Sequence, residues 1–166
     1  MAATTTAKIT SLITSLQSSD YFTRLPYTVT IERGMSFSWS YENRTITYDP
    51  HDKDVEVLLL HEAGHAVLDH HNYIYDVHLL EMERAAWDKA RELASMLKVR
   101  LPHATIETAL DTYRDWLHAR SLCPRCGSTG VQEGQHAYTC LACHREWHVN
   151  EARTCQLRRY TTKKRP

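Results

Sequence analysis

A stretch near the middle of the chain, residues 58–71, combines histidines and a glutamate at a spacing suited to holding a metal ion. Its letters read LLLHEAGHAVLDHH, in which His61, Glu62 and His65 form the pattern H-E-x-x-H. Side chains four residues apart lie one above the other on a helix, so His61 and His65 can each offer an imidazole nitrogen to one Zn²⁺. Glu62 lies at the adjacent edge and can take a proton from a zinc-activated water. The pattern predicts a hydrolytic zinc centre with Glu62 as general base.

The residues on either side of the motif indicate that its helix is buried. Three leucines precede His61, and Ala66, Val67 and Leu68 follow His65. Buried histidines need polar partners, and a metal ion supplies one for both at once. The surrounding sequence therefore favours a metal centre over two solvated surface histidines.

A catalytic zinc needs a third protein ligand, which the motif does not contain. A histidine placed like His71 reaches the metal only where a glycine permits a sharp turn, and this chain has Leu68 there. We therefore expect His70 and His71 to end the helix in solvent. Glu83 lies 18 residues after His65, on a second predicted helix whose alanines would allow close packing. We predict Glu83 as the third ligand. The alternatives that stay open are Glu81, His71 and His78.

The cysteines predict a second metal site. All five lie in the last 44 residues, and four of them form two C-x-x-C pairs separated by 13 residues. Each pair can turn two thiolates towards one ion, and Gly127 suits the left-handed conformation of such a turn. The predicted ligands are Cys123, Cys126, Cys140 and Cys143, which leaves Cys155 unpaired. We expect a closed structural zinc site in a small zinc ribbon whose metal supplies its folding energy. The chain would then hold two zinc ions, one catalytic and one structural.

The elements that position these residues follow from periodicity and turn signals. Apolar residues recur at helical spacing in residues 9–16, and two β-rich stretches, 27–34 and 36–50, predict strands with a hairpin turn at 41–45. Asp49 and Pro50 predict the start of the H-E-x-x-H helix, which we expect to end near His70. A further helix is predicted over residues 79–99, where Pro102 prevents its continuation, and Thr105 can cap another.

The predicted architecture is α+β. A small sheet or hairpin would pack with a bundle that includes the H-E-x-x-H helix, and a Cys₄ zinc ribbon would follow. The predicted domains are residues 1–120, the ribbon at 121–155 and a basic tail at 156–166. A chain of 166 residues with 42% hydrophobic composition suits this size.

The composition and the charge distribution of the chain indicate where the protein is located and which partners it can bind. No apolar run approaches the roughly 20 residues of a membrane helix, and the N-terminus lacks a signal-peptide pattern. We therefore expect a cytoplasmic protein with no membrane partner. The formal net charge is zero, but residues 151–166 carry +5 and the rest of the chain −5. This basic tail, with Arg125, Arg145, Trp147 and His148 of the ribbon, makes nucleic acid a candidate partner beside a protein substrate.

The two metal-site helices together resemble the ImmA/IrrE family of zinc peptidases. Residues 58–70 match its H-E-x-x-H helix, and residues 81–94, EMERAAWDKARELA, match its following E-x-x-A helix. The resemblance covers roughly residues 25–100. It implies a zincin-like fold in which His61, His65 and Glu83 bind zinc and Glu62 is the general base. It also implies an intracellular endopeptidase that cuts a protein such as a transcriptional repressor. The chain departs from the usual family pattern at Ala85 and in its cysteine module.

Two other functions stay open. An H-E-x-x-H domain with a C-terminal ribbon is also similar to SprT-like proteases, which act on proteins attached to DNA. That resemblance implies a histidine as third ligand, for which His71 or His78 would serve. The other alternative is a non-catalytic adaptor that binds DNA or protein and has a structural first metal site. An enzyme should leave one coordination position open to water, whereas an adaptor could close it with a fourth protein ligand.

Overall fold

A computed structural model describes residues 2–161 of the chain and the side chains of residues 7–161. The described part is α+β, as predicted. Its helices are α1 (Ala2–Gln17), α2 (Asp20–Thr23), α3 (Val55–Val67), α4 (Asp76–Leu97) and α5 (His103–Ser121). Its strands are β1 (Thr30–Arg33), β2 (Ser38–Ser40), β3 (Thr45–Tyr48), β4 (Gly130–Gly134), β5 (Ala137–Cys140), β6 (Glu146–Val149) and β7 (Arg159–Tyr160). None of the helices described has a stretch long and apolar enough to cross a bilayer.

The chain forms two compact units. One lies within Met1–Asn72 and Met82–Ile106, and the other within Tyr73–Glu81 and Glu107–Pro166. The predicted domain boundaries, after residues 120 and 155, stay predictions. Part of the predicted basic tail, with Lys163, Lys164 and Arg165, lies outside the described residues.

The first unit contains a three-stranded sheet in the order β1-β3-β2. β1 is parallel to β3 and β2 is antiparallel to it, so β2 lies at an edge of this sheet. Side chains alternate along β3, and Ile46 and Tyr48 are buried. The predicted hairpin turn joins β2 to β3, with Arg44 in a left-handed conformation at φ 53°. α3 packs against both of these strands.

α3 begins at Val55, five residues later than predicted. The predicted start was wrong because two aspartates form turns there instead. Asp49 accepts a hydrogen bond from the His51 N–H at 2.9 Å, and Asp52 accepts one from the Asp54 N–H at 2.7 Å. Such local side-chain bonds compete with helix formation.

A Schellman motif ends α3. Leu68 is the C-cap, and the next residue, Asp69, is left-handed at φ 54°. The Asp69 N–H donates to the Ala66 carbonyl at 3.2 Å, and the His70 N–H donates to the His65 carbonyl at 3.0 Å. The chain therefore folds back over the last turn of the helix.

α3 and α4 meet in backbone contact at Gly64. A Cβ added to Gly64 would lie 2.3 Å from the carbonyl oxygen of Ala86, so only glycine permits this approach. The alanine-rich stripe predicted for α4 is confirmed as its buried face. Its buried apolar residues are Ala86, Trp87, Ala90, Leu93 and Ala94.

The second unit contains a four-stranded sheet in the order β4-β5-β6-β7, with antiparallel neighbours. Tyr138 and Trp147 stack at its centre with ring centroids 5.5 Å apart. The buried cluster around them includes two of the predicted zinc ligands, Cys123 and Cys140, and Val149. Trp147 is thus a core residue and not an exposed platform for a nucleic-acid base.

A buried ion pair joins the first turn of α4 to the last turn of α5 within the second unit. The Arg120 guanidinium donates to the Asp76 carboxylate and to the backbone carbonyls of Asn150 and Glu151. The Tyr138 hydroxyl also donates to Asp76. Removing one member of a buried ion pair typically costs about 3–5 kcal/mol, because the other charge stays buried without a partner. The network therefore fixes both helix ends to the sheet.

Candidate metal centres

Three buried side chains from α3 and α4 converge on one point. His61, His65 and Glu83 are only 7%, 8% and 5% exposed. His61 Nε2 lies 3.1 Å from Glu83 Oε2, His65 Nε2 lies 3.5 Å from Glu83 Oε1, and the two Nε2 atoms are 3.2 Å apart. Ligand atoms on a tetrahedral zinc, with bonds of about 2.0–2.1 Å, are separated by about 3.3 Å. The donor set and its spacing fit a single zinc ion.

The charge state of Glu83 suits the same role. Burial alone would raise the pKa of this carboxyl, but hydrogen bonds from His61 and His65 hold the pKa well below its usual range. Glu83 is therefore ionised although it is buried. A carboxylate with two imidazoles is the ligand set of His₂Glu zinc sites.

The alternative third ligands lie elsewhere. Glu81 is exposed. His71 is exposed, with its Nδ1 3.0 Å from the carbonyl oxygen of Asp69. His78 is exposed, with its ring edge-on to Tyr75. Among the side chains of residues 7–161, the site formed by α3 and α4 therefore has three metal donors, His61, His65 and Glu83. We call this site the first centre.

Glu62 lies beside the three donors and is partly buried. Burial raises the pKa of its carboxyl, while His61 and His65 lower it in part. The nearby Glu83 raises the pKa further, and a backbone hydrogen bond from Trp39 of β2 lowers it. The net effect is a raised pKa, which moves this carboxyl towards the range in which it can both accept and release a proton near neutral pH.

Two contacts around the histidines were missed at the sequence level. The His61 ring stacks on Trp87 with centroids 4.1 Å apart, and His65 Nδ1 lies 2.9 Å from His70 Nδ1. Trp87 could have been found, because it follows Glu83 by one helical turn and shares its face. The expectation that His70 is solvated was wrong: it is partly buried, because the Schellman turn brings it back against His65.

The predicted cysteine ligands form the second group. Cys126 Sγ lies 3.5 Å from Cys140 Sγ and 3.6 Å from Cys143 Sγ, and Cys123 Sγ lies 3.7 Å from Cys143 Sγ. Sulfurs on a tetrahedral zinc, with bonds of about 2.3 Å, are separated by about 3.8 Å, whereas a disulfide measures about 2.05 Å. All four are free thiols. The cluster is compatible with a zinc ribbon. Cys155 lies outside it and is exposed.

The two C-x-x-C turns have the same backbone form. Gly127 is left-handed at φ 72°, as predicted, and its N–H donates to the Cys123 carbonyl at 3.0 Å. His144 takes the matching position in the second turn at φ 55°, and its N–H donates to the Cys140 carbonyl at 3.0 Å. The sequence did not indicate this position, because it lacks the glycine that marks the first turn.

Hydrogen bonds lower the pKa of the Cys123 and Cys126 thiols, which favours the thiolate form that metal binding needs, whereas burial and the neighbouring sulfurs raise the pKa of Cys143 to about 11. The backbone N–H groups of Arg125 and Cys143 donate to the sulfurs of Cys123 and Cys140, each at 3.4 Å. The backbone N–H and the hydroxyl of Ser128 lower the pKa of Cys126 to about 6. Sulfurs stabilised in this way are prepared to bind a cation.

Comparison with known proteins gives no relative for this chain: no family model, curated protein or solved structure matches it. The resemblances to ImmA/IrrE and SprT-like proteases therefore stay predictions drawn from motifs.

Proposed function

We propose that this chain is a zinc-dependent endopeptidase. Its metal ligands would be His61, His65 and Glu83, and its general base Glu62. The observation that carries the proposal is the convergence of three buried donors at tetrahedral spacing, beside a carboxyl with a raised pKa. Three protein donors are the ligand number of catalytic zinc centres, whereas structural centres have four.

A zinc ion bound there would supply Lewis-acid chemistry, lowering the pKa of water and polarising a peptide carbonyl. Glu62 would accept a proton from the attacking water and return it to the leaving amine. Burial favours the protonated carboxyl, while His61 and His65 favour the carboxylate. The net effect is a raised pKa, which favours a carboxyl that can hold the proton before passing it to the leaving amine.

The position of β2 supports a polypeptide as substrate. β2 is an edge strand, and its residue Trp39 forms a backbone hydrogen bond with the proposed base. An edge strand can pair with an extended peptide through main-chain hydrogen bonds. A peptide bound along β2 would lie next to Glu62. We also propose that the fold of this chain is zincin-like and that its protein substrate is a transcriptional repressor.

The Cys₄ group has a different proposed role. Four thiolates would fill the coordination of a zinc ion and leave no position for a substrate. Two of the thiols also lie in the buried cluster of the second unit, so the metal would complete a small core. We propose a structural zinc whose ribbon presents exposed cations, such as Arg125 and Arg158, to a protein or nucleic-acid partner.

The test uses the full chain loaded with zinc and a library of peptides prepared from a bacterial proteome. New peptide termini, read by mass spectrometry, should appear with the unmodified chain. Glu62→Gln should lower their rate of appearance by about 10²–10⁴-fold, because that is the typical contribution of general acid–base catalysis.

Metal analysis provides the control for this experiment. Glu62→Gln should keep two zinc ions per chain, since Glu62 is not among the three donors. New termini that appear equally with Glu62→Gln, or no new termini with the zinc-loaded chain, would contradict a peptidase. The second result would favour a non-catalytic adaptor.

A further inference from the structure

We propose that His70 is a positioning residue that holds His65 in place as a metal ligand. The inference rests on the metal-binding half of the proposed function and does not depend on peptide cleavage. His65 points Nε2 towards His61 and Glu83, and its other ring nitrogen, Nδ1, lies 2.9 Å from Nδ1 of His70.

The chemistry of imidazole gives this contact a direction. A neutral histidine that binds a metal through Nε2 carries its hydrogen on Nδ1. Because His65 is buried, that N–H needs an acceptor inside the protein. His70 Nδ1 is such an acceptor when its own hydrogen is on Nε2. The bond then fixes both the tautomer of His65 and the orientation of its ring.

The backbone of His70 is held at both of its polar groups. Its N–H donates to the His65 carbonyl in the Schellman motif at 3.0 Å. Its carbonyl accepts a hydrogen bond from the Trp39 indole N–H at 2.9 Å. The backbone of His70 is therefore fixed by α3 on one side and by β2 on the other, within reach of the His65 ring.

The left-handed residue that makes this turn possible is also stabilised. The Asp69 carboxylate accepts hydrogen bonds from the Tyr27 hydroxyl, at 2.9 Å, and from the Arg44 guanidinium. That guanidinium lies 4.0 Å from the ring centroid of Tyr27 and 4.0 Å from that of Tyr41. Side chains from the sheet side of the unit thus hold the turn that carries His70.

The other ligand histidine is held differently. Nδ1 of His61 is buried and has no hydrogen-bond partner among the side chains described. Its ring instead stacks on Trp87. Of the two histidines, His65 alone should therefore depend on an imidazole neighbour for its orientation.

The experiment measures the zinc affinity of the first centre in the full chain, by competition with a chromophoric zinc chelator once the Cys₄ centre is filled. His70→Ala should weaken this affinity by about 10–100-fold, the usual effect of losing a hydrogen-bond partner of a metal ligand. His70→Asn should restore most of it, because the asparagine carbonyl can accept the same hydrogen bond. The matched control is His71→Ala. It should leave the affinity unchanged, because His71 is exposed and its Nδ1 faces the Asp69 carbonyl.

An unchanged affinity in a folded His70→Ala chain overturns the proposal. Equal losses in His70→Ala and His70→Asn also overturn it, because packing alone would then explain the effect. If His70→Ala does not fold, His70→Leu keeps the bulk without an acceptor and is compared with His70→Asn in the same way. A chain that binds two zinc ions and cleaves nothing would contradict the peptidase and leave the test of His70 intact.

Discussion

Glu81 and Glu83 are two residues apart on α4, yet they have opposite environments. Glu83 is buried against the two histidines, and Glu81 is exposed. The pair provides a matched test of the first centre. Glu83→Gln should reduce the zinc content from two ions per chain to one, because a neutral amide is a poor zinc ligand. Glu81→Gln should keep both. Zinc analysis after gel filtration measures the difference, and two retained ions in Glu83→Gln would show that Glu83 does not bind the metal.

Helical periodicity explains why the three clustered donors could be predicted from the sequence and His70 could not. His61 and His65 share a helix face by spacing alone, and the alanines that follow Glu83 show which face of the second helix is buried. His70 reaches His65 only because Asp69 is left-handed. That conformation is supported by Tyr27, which lies 42 residues earlier in the chain. Spacing rules carry no information about such a distant contact.

At the scale of elements, the contact between α3 and α4 can be tested at Gly64. Alanine in place of glycine usually stabilises a helix by about 1 kcal/mol. Here the new methyl group would meet the backbone carbonyl of Ala86, which cannot rotate away. We therefore expect Gly64→Ala to destabilise the chain by about 1–3 kcal/mol, as overpacked interiors do. Denaturant unfolding should show the loss, together with weaker zinc binding at the first centre.

Gly134→Ala is the control for that substitution. A Cβ at Gly134 would meet no atom within 4 Å, so little change in stability is expected. A Gly64→Ala chain as stable as the unmodified protein would mean that the two helices are further apart than their backbone contact indicates.

The elements themselves were largely predictable, with errors where side chains compete with the backbone. The hairpin of β2 and β3 and the buried stripe of α4 follow from alternation and helical spacing. The start of α3 was misplaced because Asp49 and Pro50 look like a helix start, whereas Asp49 bonds the His51 N–H in a turn. An aspartate before a proline is compatible with both structures, and only the fold decides between them.

At the scale of the whole molecule, the two centres differ in what supports them. The first joins helices that pack through apolar faces, whereas the second shares its ligands with a small core. Cys140→Ser should therefore remove one zinc ion and unfold the strands β4–β7. Hydrogen exchange over residues 130–160 should rise markedly, because a domain that small depends on its metal. Cys155→Ser should retain both zinc ions and full protection, and protection that survives in Cys140→Ser would contradict a structural metal.

Long-range polar contacts marked the limit of prediction for the second unit. The C-x-x-C spacing was sufficient to identify the four thiols. The buried pair of Asp76 and Arg120 joins residues 44 positions apart, which the sequence assigned to the first domain and the structure places in the second unit. Each residue alone resembles an ordinary charged residue on a helix, and only the folded structure shows that both are buried.

The way the donors are distributed along the chain sets an order for acquiring metal. Each cysteine pair lies within four residues, so a chain that is still folding can begin to capture zinc there through local turns. His61 and His65 alone offer only two ligands to a metal ion. The third, Glu83, reaches them only after α4 has packed against α3 at Gly64. Zinc would therefore bind tightly at the first centre only after the helices of the first unit have packed together. The proposed peptidase would thus become active only late in folding. A partly folded chain would be unable to cleave other proteins.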